Sequence, residues 1–111
     1  MSYDEILAAR VRRELAERDD VTERQMFGGL AFMVGGHMCC GVIGDDLVLR
    51  LGAEAADAAL DEPNTRPMDF TGRPMNGYIY VSANGASTEG ALRRWIDLAL
   101  SFTTELPPKR R

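Results

Sequence analysis

The sequence predicts an α+β fold, a largely antiparallel sheet flanked by N-terminal and C-terminal helices. Three observations predict it. Apolar residues recur with a period near four at both ends of the 111-residue chain and with a period of two between Val21 and Val81. The two-period region is cut by glycine pairs, which suit tight hairpins rather than helical crossovers. The strand-like runs are also grouped instead of alternating with helices, which favours α+β over a parallel α/β sheet.

The first helix is predicted over about residues 3–18. Ser2 and Glu5 have capping-box spacing, and Tyr3, Leu7, Val11 and Leu15 form one stripe. Arg10/Glu14, Arg13/Glu17 and Glu14/Arg18 are opposite charges four apart, which suits a solvated face laced by ion pairs. Strands follow at Thr22 to Phe27, Leu30 to Val34, His37 to Ile43 and Leu47 to Leu51. Their turns are Gly28-Gly29, Gly35-Gly36 and Gly44-Asp45-Asp46, because Gly and Asp tolerate the positive φ of tight turns. Leu30/Phe32/Val34 and Leu47/Leu49/Leu51 then share a helix-covered face, with Arg50 pointing away from it.

Ala53 to Leu60 reads as a short helix of high propensity and little bulk. Prolines at 63, 67 and 74 make Asp61 to Met75 mostly loop, apart from a short extended piece at 68–70. Asn76-Gly77 should turn into a last strand, Tyr78 to Ser82. A long helix is expected from an N-cap at Ser87 to Leu106, stopped by Pro107-Pro108. Its stripe is Leu92, Trp95, Ile96, Ala99, Phe102 and Leu106, and Leu98 and Leu100 widen it beyond one face.

One domain, residues 3–106, is followed by a basic tail at 107–111. Net charge is −4, from 13 Lys+Arg against 17 Asp+Glu. The tail holds Lys109, Arg110 and Arg111, so the body before it carries ten cations against 17 carboxylates, a charge of −7. Such a body repels phosphate backbones, and no specific nucleic-acid binding is expected. Neither a secretory signal nor an apolar run long enough for a membrane is present, so a cytoplasmic location is expected. Cys39 and Cys40 are adjacent and close no loop, which excludes a disulfide scaffold.

Catalytic chemistry finds little footing. His37 is the single histidine; on an ideal strand it shares a face with Cys39, while Cys40 points to the other. Two such ligands fall short of a closed zinc site, which needs four. Strand neighbours two apart point parallel, which is poor geometry for a thiol and its base. FGGLAFMVGG lacks the phosphate-loop and dinucleotide glycine spacings, and the acidic pairs at Asp19-Asp20, Asp45-Asp46 and Asp61-Glu62 lack a calcium-loop pattern. No cofactor or metal is expected. Apolar excess remains: six Met, with Met33 opposite Leu30 and Phe32, and a final helix apolar on several sides. That excess predicts a symmetric homodimer with Met33, Trp95, Leu98 and Phe102 as interface residues.

Arg24-Gln25-Met26-Phe27-Gly28-Gly29, then Gly36-His37-Met38-Cys39-Cys40-Gly41, then Leu47-Val48-Leu49-Arg50 resemble the TfoX/Sxy N-terminal domain family. Its most specific element is Arg-x-Met-Phe-Gly-Gly after a first helix, and Arg66-Pro67-Met68-Asp69-Phe70 and Tyr78-Ile79-Tyr80-Val81 fit in order. The resemblance implies a curved antiparallel sheet with flanking helices and a bacterial setting in competence regulation, acting with a transcription activator rather than as an enzyme. It implies structural roles for Arg24, Met26, Phe27, Gly28 and Gly29, with no catalytic residue. The favoured reading is a small non-enzymatic interaction module that binds a protein partner, such as a transcription regulator. The alternative is a small-molecule-binding or enzymatic protein using the face around His37, Cys39 and Arg50.

Overall fold

A computed structural model describes residues 3–26, 28–70 and 72–107, with residues 70, 73 and 74 described by backbone alone. The order is α1 (Glu5–Glu14), β1 (Val21–Met26), β2 (Gly29–Val34), β3 (His37–Ile43), β4 (Asp46–Arg50), α2 (Ala53–Ala59), β5 (Thr65–Phe70), β6 (Arg73–Val81) and α3 (Glu89–Thr103), with a 3-10 turn at Ala83–Ala86 before α3. The six strands form one antiparallel sheet in the order β1-β2-β3-β4-β6-β5. The fold is α+β, as the grouping of strands predicts.

All three helices contribute to one buried cluster. Leu7, Val11 and Leu15 of the first segment, Ala56 and Ala59 of α2, and Leu92, Trp95, Ile96 and Ala99 of α3 meet Leu30, Phe32, Val34, Val42, Leu47, Leu49, Ile79 and Val81 of the sheet. The expected one-face set of β2 and β4 is therefore the helix-covered one. A second cluster of Ala31, Met33, Met38, Val48 and Met68 lies on the alternate positions and includes no helical residue. Met33 is thus buried inside the chain, at 8% exposure, rather than offered to a partner. Trp95 is likewise core, at 1% exposure, and its indole N–H donates to the Gly85 carbonyl at 3.2 Å.

Several boundaries differ from the sequence reading for physical reasons. Tyr3 bridges Gly44 and the Asp4 amide donates to the Gly44 carbonyl at 2.7 Å, so the chain is extended there and α1 starts at Glu5. Asp4 is the N-cap, its carboxylate accepting from the Ile6 and Leu7 amides at 2.9 and 3.2 Å. The expected cap, Ser2, lies outside the described residues. The charges of α1 leave the helix instead of pairing along it: Arg12 binds Glu23, Glu14 binds Arg93, and Arg10 donates to the Ala86 and Thr88 carbonyls. α3 is capped by Thr88, one residue past the expected Ser87, with its hydroxyl accepting from the Ala91 amide at 3.0 Å.

The expected Asn76-Gly77 turn is the largest correction. Both residues lie inside β6, and the stretch read as loop is the β5–β6 hairpin, with Gly72 at φ +77 in its turn. Pro67 fits because β5 is an edge strand, where a missing N–H costs no ladder bond. Gly77 at φ +87 has another role: its carbonyl accepts from the amides of Leu51 and Gly52 at 2.8 and 3.1 Å, which turns the chain from β4 into α2.

Candidate protein-interaction surface

α3 buries Leu92, Trp95, Ile96, Ala99 and Thr103 and turns Arg93, Arg94, Asp97, Leu98 and Ser101 outward. Leu98 is 38% exposed, one of two large apolar side chains with this degree of exposure among the described residues; the other is Ile6 near the start of α1. Beside Leu98 runs a groove of about 350 Å³ between the start of α2 and the C-terminal half of α3. Its walls are Leu51-Gly52-Ala53-Glu54-Ala55 and Leu98, Ser101, Phe102 and Glu105. The alanines of α2 leave room there, since they supply helix propensity without bulk. A shallower depression of about 540 Å³ shares Leu98 and Ser101 and extends the groove toward Gly90. Phe102 is half-buried at the groove wall, with its ring against Gly52. Of the four residues expected at an interface, Leu98 and Phe102 meet on this surface, whereas Met33 and Trp95 do not.

Charge on this surface is uneven. Arg93 pairs with Glu14 at 3.1 Å and Arg94 with Glu62 at 2.7 Å, while the Arg94 guanidinium also lies 4.4 Å from the Trp95 ring centroid. Glu54, Asp97 and Glu105 are exposed and form no ion pair among the described residues. In the sequence Leu98 stands out as a residue off the buried stripe, whereas these carboxylates do not. Asp97 and Ser101, four apart beside Leu98, mark one exposed helix face, and Glu105 follows just past the end of α3.

The alternative face around His37, Cys39 and Arg50 does not assemble as expected. The β2–β3 ladder pairs Met33 with Met38 and Phe32 with Cys40, so Cys39 is the extra residue of a β-bulge. Alternation breaks there, and Cys39 and Cys40 both enter the helix-covered cluster at 0% exposure. Both thiols are free. The hydrogen bond with Cys40 lowers the Cys39 thiol against the opposing effect of burial, whereas that contact and complete burial push Cys40 well up. His37 is half-exposed, and its Nε2–H donates to the Pro107 carbonyl at 2.6 Å. The cavity of about 150 Å³ beside it is lined by Arg18, Asp20, Val34, Gly35, Thr103, Thr104 and Leu106, without Cys39 or Arg50. Arg50 sits 5.7 Å from the Tyr78 centroid and 5.5 Å from that of Phe102. Among the described residues no three His, Cys, Asp or Glu side chains gather to hold a metal ion, and no helix is long and apolar enough to cross a membrane.

The two glycines of the family motif have structural reasons. Arg24 is exposed on edge strand β1, and Met26 packs half-buried against the second cluster. Gly28 takes φ +75 in the turn, and a Cβ on Gly29 would run into the Val42 carbonyl oxygen. Phe27 lies outside the described residues. The family model for the TfoX N-terminal domain matches residues 13–103, which takes in this motif, the whole sheet and α3. The chain belongs to the TfoX N-terminal domain family. Comparison with curated proteins gives no match. Most of α1, up to Arg12, precedes the span that matches the TfoX N-terminal domain, and α3 closes it.

Proposed function

We propose that this TfoX N-terminal domain is a non-enzymatic interaction module in a regulatory setting, and that it docks a protein partner on the outer face of α3. The observation that carries this reading is Leu98: a leucine left 38% exposed near the middle of α3, where two depressions meet. Burying that side chain and the neighbouring Phe102 wall gains about 25 cal/mol for each Å² of apolar surface removed from water. An apolar centre with a polar rim is the usual anatomy of a protein interface. The thiols of β3 support the non-catalytic reading, because their burial removes them from any substrate in solution.

The test is affinity purification of the tagged chain from its own cells, alongside Leu98→Glu and Ile6→Glu. A partner retained by the wild type and by Ile6→Glu, and lost by Leu98→Glu with an unchanged melting temperature, is the expected result. Equal retention by all three proteins would place the interaction elsewhere.

A further inference from the structure

The outer face of α3 is acidic as well as apolar, and the two properties together restrict what fits it. The groove between α2 and α3 carries Glu54 and Glu105, and the depression sharing Leu98 carries Asp97. A third depression of about 360 Å³, between α1 and α3, shares Arg93 and Asp97 with it and adds Glu14, Glu17 and Glu89. Glu14 is paired with Arg93, which leaves five carboxylates; against them the three depressions hold Arg13 and Arg94, and Arg94 is already paired with Glu62. Covering Leu98 removes water from Asp97 beside it and from the rim carboxylates, and an uncompensated carboxylate in a dry interface is costly.

We propose that this face receives an amphipathic helix whose apolar stripe is flanked by Lys or Arg, a choice that rests on the α3 face being the docking surface. Depressions run along α3 from Gly90 to its end at Thr103, about 20 Å at 1.5 Å per residue, and on to Glu105. That length suits a helix laid in a groove and anchored by apolar residues three and four apart. Asp97 on the helix and Glu105 just past its end each border a depression that Leu98 lines, so cations flanking the partner's apolar stripe meet both. Opposite charge then sets the partner's register and discriminates against acidic helices. A second copy of this chain fits less well. An antiparallel α3 pair centred on Leu98 brings the two Asp97 carboxylates together, and like charges at a desolvated centre oppose closure.

The experiment uses the whole chain and three labelled synthetic helical peptides: a leucine stripe flanked by lysines, the same stripe flanked by glutamates, and the lysine peptide with its leucines dispersed around the helix. Fluorescence anisotropy at about 150 mM salt should show saturable binding of the first alone. The Asp97→Lys/Glu105→Lys protein should bind it at least tenfold more weakly, and Leu98→Ala should weaken it as well. All of these side chains are exposed, and thermal melting verifies that each variant folds. Three results would overturn the proposal: equal binding of the glutamate peptide, equal binding of the dispersed peptide, or indifference to the double substitution. Self-association in light scattering that Leu98→Glu abolishes would overturn it in favour of a second copy. If the cellular partner is lost by Leu98→Glu while the lysine peptide does not bind, the docking surface stands and its charge preference falls.

Discussion

Gly52 and Phe102 are in such close contact that a Cβ on residue 52 would lie 2.7 Å from two carbons of the Phe102 ring. Gly52 also has φ +84 and ψ 161, a region open essentially to glycine alone. The pair joins the β4–α2 corner to the C-terminal half of α3 and forms the wall of the groove.

Gly52→Ala should therefore destabilise the protein by about 1–3 kcal/mol from backbone strain, with the ring clash adding to it. Gly90→Ala is the control, since Gly90 has open space around its Cβ position and lies in the first turn of α3. Alanine there gains up to about 1 kcal/mol of helix propensity. Denaturant unfolding of the two variants should move the midpoint in opposite directions.

What the sequence made legible follows from which interactions are local. Period-two alternation over β2 and β4 placed Phe32 and Leu49 on the covered face, because a strand's facing depends only on its own pleat. Alternation failed at Cys39, where β3 inserts a residue that only its ladder with β2 reveals. Asn76-Gly77 is a strong local turn signal that lost to a long-range bond, the Gly77 carbonyl serving the Leu51 and Gly52 amides. Of the i,i+4 pairs expected in α1, Glu14 went in the same way to Arg93 of α3, and Arg18 to Asp20. For the surface, Leu98 was legible as a residue off the stripe. Glu54 was not, since it reaches the same groove only through the packing of α2 beside α3.

Burial, more than acidity, should govern the cysteines. The Cys39 thiol is lowered by its hydrogen bond with Cys40, yet both side chains have no exposed surface. Thiolate character without access gives no reaction, so both should react with a disulfide reagent only as fast as the native state opens. Two thiols per chain should titrate rapidly in denaturant and slowly without it. Fast labelling of one thiol in the native protein would instead restore a reactive Cys39.

Acid should weaken the fold partly through Glu23 and Asp20. The hydrogen bond from Arg12 holds Glu23 below the usual carboxylate range, and that from Arg18 does the same for Asp20. A carboxyl whose value is lower folded than unfolded binds fewer protons in the native state. Its stabilisation is present above the unfolded value and is lost as pH falls through the folded one. Both ion pairs are substantially exposed, so each contributes no more than about 0.2–1 kcal/mol. Glu23→Gln should cost about that much at pH 7 and nothing once pH falls below the folded value, so its difference from wild type should vanish in denaturant melts across that range.

The proposed regulatory setting invites a test for DNA binding, and the ion-pair map argues for a negative result. Each phosphate contact needs a cation free to meet it, since affinity comes from counterions displaced by Lys and Arg. Arg12, Arg18, Arg66, Arg93 and Arg94 are each committed to a carboxylate of this chain, at 2.6, 3.0, 2.5, 3.1 and 2.7 Å. Arg10 is bound to backbone carbonyls, and Arg50 lies against two rings. Around them the helical layer presents Glu54, Asp97 and Glu105. Residues 109–111, Lys109-Arg110-Arg111, supply three successive cations, enough for a weak association that salt screens steeply. Duplex DNA should show no sequence-selective binding at about 150 mM salt, and any low-salt affinity should disappear when residues 109–111 are removed. Anisotropy titration of the whole and shortened chains checks this, and submicromolar, sequence-selective binding by the shortened chain would mean that Arg13, Arg24 and their neighbours form a basic face strong enough to outweigh the acidic helical layer.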